Sequence, residues 1–193
     1  MTTSDRRRSE AGFSVIEVTV VLAVLSAVAM SMTISLLNSQ RSFDEQFRES
    51  TLRDASRRVM DRVSELLPGA DPATVTPAVL ENSTSISFQP VTGFDGTKYL
   101  HGPRVTFLHQ LAEGEARNGR DDNGDGRIDE GSLVLQEQGR NAIILAADVT
   151  GVQFSATETG VEFRIDMAQI AGSGTVLDKT YARRVAYRNA PVP

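Results

Sequence analysis

The feature that most constrains this chain is an apolar stretch over residues 13–37 in which Glu17 is the one ionisable group. It follows a mainly polar segment, residues 1–12, carrying Arg6, Arg7 and Arg8. At ~1.5 Å per helical residue this stretch reaches about 37 Å, enough to cross a ~30 Å hydrocarbon core with some tilt. A signal-peptide core is shorter, and the small residues Ala27 and Ala29 are followed by more apolar sequence, so cleavage there is not expected. Arginines on the short N-terminal side predict that end in the cytoplasm and the rest of the chain across the membrane.

Beyond Asn38 the composition turns polar while a helical period persists. Phe43, Phe47, Leu52, Ala55, Val59, Val63 and Leu66 recur every three to five positions, which predicts one apolar stripe on a helix continuing to residue 67. Asp44 with Arg48, Glu49 with Arg53 and Asp54 with Arg58 are acid-before-base pairs four apart, each contributing ~0.3 kcal/mol on a solvated face. Pro68 and Gly69 are expected to end the helix.

From residue 74 to 193 the period changes to two. Val161, Phe163, Ile165 and Met167 alternate with Glu162, Arg164, Asp166 and Ala168, the pattern of a half-buried strand. Similar runs occupy 85–89, 105–109, 133–137, 153–157 and 181–187, and 158–160 and 172–174 read as hairpin turns. The expected fold is α+β: a long N-terminal helix, transmembrane over 13–37 and amphipathic over 38–67, with an antiparallel sheet packed on it.

A carboxylate one turn into a membrane helix is costly unless a cation meets it. If the chain is cut after Gly12, the new amine of Phe13 on a neighbouring copy supplies that cation. Gly12, Phe13 and Glu17, with the basic leader 1–12 and the apolar run, resemble the type IV pilin and pseudopilin family. The resemblance implies that a prepilin peptidase cuts between Gly12 and Phe13 and methylates Phe13. It implies that Glu17 neutralises an adjacent subunit's N-terminus during assembly, and that 74–193 forms a pilin-like head. By the same resemblance the chain sits in the bacterial inner membrane with its head in the periplasm. Its partners are then other major and minor pseudopilins or pilins and an inner-membrane assembly platform.

Abundant subunits of that family carry a proline about twenty residues after the cleavage site, where this chain has Ile34. This departure indicates a minor subunit. Retention of Glu17, which the largest tip pseudopilin tends to lack, makes the J-type pseudopilin of type II secretion the closest likeness. The chain has no cysteine, whereas type IV pilins often close a C-terminal loop with a disulfide. The alternatives are a minor pilin serving adhesion, motility or DNA uptake, and a membrane-tethered calcium-dependent binding module.

The second informative segment is 121–130. Asp121, Asn123, Asp125 and Asp129 stand at offsets one, three, five and nine, with the Arg127 carbonyl at the seventh. Oxygen donors at alternate positions around a tight-turn glycine are what a calcium loop requires, and the segment resembles those of EF-hands and dockerins. Ile128 is expected to anchor the loop to the core. The pattern departs at the twelfth position, where Ser132 replaces the usual glutamate, and Glu130 is the available substitute. Calcium, if bound, would order the loop rather than catalyse. The competing reading is a solvated polar turn, which Asp, Asn and Gly favour through their backbone preferences.

A net charge of -5 without a basic face argues against a nucleic-acid partner. With no cysteine, thiol catalysis and cysteine–zinc sites are excluded. His101 and His109 fall in no spacing that defines a nucleophile, base or metal triad, so no enzymatic activity is expected. His109 reads as a packing or surface residue.

Overall fold

The computed structural model describes residues 14–77, 82–172 and 174–188. Gly12 and Phe13, the expected cleavage and methylation positions, lie outside them. The chain divides into two compact units, Met1–Phe43 and Asp44–Pro193.

In the first unit the dominant element is the initial part of α1, which runs over Val15–Leu66. Its apolar stretch is left unburied. By length and composition the helix could span a membrane. Four of its hydroxyl residues do not spoil the apolar surface, because they bond back to their own helix. Thr19 donates to the Ile16 carbonyl at 2.8 Å, Ser26 to Leu22 at 2.7 Å, Ser31 to Val28 at 2.8 Å and Thr33 to Ala29 at 2.9 Å. Back-bonding of this kind satisfies the hydroxyl without water.

The second unit holds the hydrophobic core. Leu52, Ala55, Val59 and Val63 of α1 are buried, as the stripe predicts, and Leu66 is half-buried against them. Phe43 and Phe47 are 70% and 73% exposed and do not belong to that stripe. The reason is phase: at ~100° per residue Phe47 lies about 120° around the helix from Val59, whereas Arg48 falls close to its line. A spacing that admits a step of five, from Phe47 to Leu52, lets the stripe drift off the buried face. Two of the three expected ion pairs form, Asp44–Arg48 at 3.1 Å and Glu49–Arg53 at 3.4 Å. Asp54 and Arg58 do not pair; Arg62 meets Glu65 at 2.7 Å instead. Helix α1 stops at Leu66, and Pro68 and Gly69 lie in a 3-10 turn, Leu67–Gly69.

Among the described residues nine strands follow: β1 (Asn82–Ser83), β2 (Ser85–Phe88), β3 (Val91–Phe94), β4 (Tyr99–His101), β5 (Val105–Leu111), β6 (Gly131–Glu137), β7 (Ile143–Thr157), β8 (Gly160–Ile170) and β9 (Val176–Ala186). The main sheet has the order β2-β5-β6-β7-β8-β9, with every neighbouring pair antiparallel. From β5 onward it is a plain meander. Short β1 pairs with the far end of β7, and β3 and β4 form a separate hairpin. The fold class is thus α+β, as expected.

Strand β8 carries the alternation into the core: Val161, Phe163, Ile165 and Met167 are all buried. Four phenylalanines contributed by β2, β5, β7 and β8 form a continuous row under the helix. Phe88 and Phe107 are 6.3 Å apart, Phe107 and Phe154 6.3 Å, and Phe154 and Phe163 4.8 Å. Each fully buried ring contributes roughly 1.5–3 kcal/mol by burial alone, with ring–ring contacts adding about 0.5–1.5 kcal/mol. Around the rim, charges tie helix to sheet. The Gly172 N–H donates to Asp44 at 2.7 Å, Lys179 meets Glu49 at 3.2 Å, and Arg62 lies 3.7 Å from Glu137. That backbone donor, followed by Arg48, holds the Asp44 carboxyl below its usual range.

Candidate functional site

Two features could carry function. The first is Glu17, exposed in the opening turns of α1 among Val15, Ile16, Val18 and Val20, all of them exposed. From Val15 to Leu37 no other side chain is ionisable.

The second is the connection between β5 and β6, which contains the acidic loop. Its base is closed by the Ala112 N–H donating to the Glu130 carbonyl at 2.9 Å. Residues 121–126 curl around one carboxylate. Asp121 Oδ1 accepts from the N–H groups of Gly124 at 2.6 Å and Asp125 at 3.2 Å, and Oδ2 from that of Gly126 at 2.8 Å. Gly126 needs its freedom, with φ of +89° and Ile170 Cδ1 3.0 Å from where a Cβ would stand. Asn123 accepts from the Asp125 N–H at 2.9 Å and donates its amide to Glu130 Oε1 at 2.7 Å.

Asp125 is engaged by Arg127, whose Nε and Nη2 lie 3.1 Å and 2.6 Å from Asp125 Oδ2. This guanidinium lowers the Asp125 pKa and has its own raised in return. Its remaining nitrogen, Nη1, reaches Asp148 on β7, whose other oxygen accepts from Gln169 at 2.8 Å. Arg48, Asp125, Arg127, Asp148, Gln169 and Ile170 line a shallow polar recess beside the loop.

Of the six expected metal-loop residues, Asp121, Asn123 and Asp125 share the turn, and Glu130 joins them through Asn123. Asp129 has φ of +52° and turns the other way, its carboxylate accepting from the N–H groups of Asn118 and Gly119 at 3.0 and 3.1 Å. Ile128 does not anchor the loop: it is 52% exposed, and the left-handed turn at Asp129 sends Glu130 inward instead, to 2% exposure. Sequence reasoning missed Glu115, which collects the N–H groups of Asp122 and Asn123 at 3.0 Å each and that of Asp129 at 3.2 Å. It also missed Asp148 and Gln169, which only the β7–β8 pairing brings near the loop. Among the described residues, no three His, Asp or Glu side chains converge on one point as a metal centre built from those types alone would require.

The two histidines lie apart in distinct settings. His101 Nε2 is 2.7 Å from Asp71, at the start of the 3-10 turn Pro72–Thr74. His109 is buried on β5, 3.0 Å from the Val149 carbonyl and 3.0 Å from Arg117, in agreement with a packing role.

Comparison with family models, with curated proteins and with solved structures finds no match to this chain.

Proposed function

We propose that this chain is a minor subunit of a type II secretion pseudopilus, a J-type pseudopilin made as a prepilin and assembled at the filament tip. The observation that carries the reading is Glu17, a lone carboxylate on an exposed apolar helix on which Thr19, Ser26, Ser31 and Thr33 turn their hydroxyls back onto their own backbone. A charge placed there needs a partner that arrives with another chain. The amine released on Phe13 by a cut after Gly12 is such a partner, and its methylation keeps the positive charge.

The division of labour along the chain supports the same reading. One apolar half of α1 is free to pack against equivalent helices in lipid, while the other half is committed to a sheet-covered core. The first half anchors the chain in the inner membrane and the second carries a periplasmic, pilin-like head. Prepilin peptidase, the assembly platform and other pseudopilins are the partners that this reading requires. The chain performs assembly, not chemistry. Lack of cysteine favours the secretion pseudopilus over a type IV pilus.

Mass spectrometry of the N-terminus, after co-expression with a prepilin peptidase, tests the proposal. A methylated Phe13 terminus is expected, and Gly12→Ala should abolish it. Glu17→Val should still be cut but should lose crosslinking to neighbouring subunits. An intact Met1 terminus beside an active peptidase would overturn the reading.

A further inference from the structure

We propose that the acidic loop is a calcium site whose buried carboxylate ligand is Glu130, two residues ahead of the position where an EF-type loop carries its glutamate. The inference stands on the head alone and does not rest on the filament reading.

Donor spacing is the first observation. Asp121, Asn123, Asp125 and the Arg127 carbonyl supply oxygens at alternate positions, and the N–H groups of Gly124, Asp125 and Gly126 already curl the loop around Asp121. Such a loop could be a turn and nothing more.

Glu130 provides the independent observation. It is 2% exposed, its Oε1 accepts from the Asn123 amide at 2.7 Å, and its Oε2 is buried with no hydrogen-bond partner among the described residues. A carboxylate oxygen removed from water and left bare is strongly unfavourable, so a group of this kind calls for a compensating cation. The contact with Asn123 holds it beside the second donor of the loop, at its third position. Ser132, the twelfth residue, is committed to β6 opposite Gln110. Asp129 spends its carboxylate on Asn118 and Gly119 and serves the loop's fold.

The donor chemistry selects the ion. Every available atom is a carboxylate, amide or carbonyl oxygen, which suits a hard cation and not a metal that seeks nitrogen or sulfur. A loop of mixed one-oxygen donors on exposed backbone fits the variable coordination of calcium better than the strict octahedron of magnesium. Arg127 is the internal competitor: its guanidinium now holds Asp125, and an entering ion takes Asp125 while Arg127 keeps Asp148. Because the Glu130 carbonyl closes the hairpin base on Ala112, the ion would join the loop tip to the residue that leads into β6.

The test uses the full chain in detergent, stripped with a chelator and titrated with calcium chloride by calorimetry, alongside thermal unfolding followed by circular dichroism. One ion per chain with an apparent Kd at or below about 1 mM is expected. At saturating calcium the unfolding midpoint should rise by roughly 4 °C or more, with little response to equal magnesium. Glu130→Gln should weaken binding at least about tenfold, and so should the exposed Asp125→Asn, which serves if the buried variant fails to fold. Absence of heat and of any midpoint shift, an equal response to magnesium, or wild-type affinity in the folded variants would each overturn the proposal.

Discussion

On β5, His109 is held by two fixed partners: the Val149 carbonyl accepts from its Nε2–H, and Arg117 donates to its Nδ1. That pairing requires the neutral ring, and burial, the largest influence, lowers the His109 pKa below its ordinary 6.5. The sign follows directly. The unfolded chain takes up a proton near pH 6.5 while the folded chain resists, so stability is complete above that pH. It is lost as pH falls toward and through the lowered folded value. Urea midpoints measured from pH 7.5 to 5 should therefore decline, and His109→Gln should flatten the decline. Tyr187 gives a complementary case. Burial pushes its phenol up to about 12, and the hydroxyl has no partner among the described residues. Removing it in Tyr187→Phe should leave stability unchanged or raise it by up to about 1 kcal/mol by chemical denaturation. A loss of more than that would mean the hydroxyl has a partner.

Strand elements show where periodicity is a sufficient guide and where it fails. Strands β2 and β8 are legible because apolar and polar residues alternate along them, and β5 and β6 because they are short apolar runs, with Leu108 and Val134 filling the step between alternating core residues. Strand β7 was read only over 153–157, its last third, although it starts at Ile143. Its buried residues Ala146, Val149, Val152, Phe154 and Ala156 first step by three and then by two. The register shifts there against both β6 and β8, and Asp148 has φ of +59°. Bulges of this kind insert residues that erase a period of two. The first half of β9 was missed for a different reason: as an edge strand it buries little, only Val185 fully. The β3–β4 hairpin has no core to face, so Phe94 and Tyr99 pack on one another, 5.6 Å apart, and stay exposed. In the acidic loop the donor spacing was legible, but the burial of Glu130 was not, since it depends on the left-handed turn at Asp129. Close strand approach gives a sharp test at Gly131, where an added Cβ would lie 2.1 Å from the Gln110 carbonyl oxygen. Gly131→Ala should cost about 2–3 kcal/mol and loosen exchange protection in β5 and β6 first. Phe154→Ala, in the middle of the aromatic row, should cost about 3–5 kcal/mol with no change of fold.

At the scale of the molecule, the buried hydrophobic residues among those described begin at Leu52, within the unit that starts at Asp44. A fragment of residues 44–193 should therefore unfold in one cooperative step and remain soluble without detergent, whereas the full chain should require it. A fragment that collapses without a cooperative transition would show that the preceding apolar helix contributes to head stability. The head also has one long free margin: β9, 11 residues in length, is hydrogen-bonded to β8 alone among the described strands. Bare strand margins invite another strand to add on, and the usual deterrent is charge placed along them. Here Lys179 and Arg183 stand on that margin, within 3.2 Å of Glu49 and 3.8 Å of Asp61 respectively, with Arg184 beside them. The cations that tie sheet to helix thus also guard the molecule against amyloid-like growth, a hazard that rises wherever many heads are crowded at high local concentration.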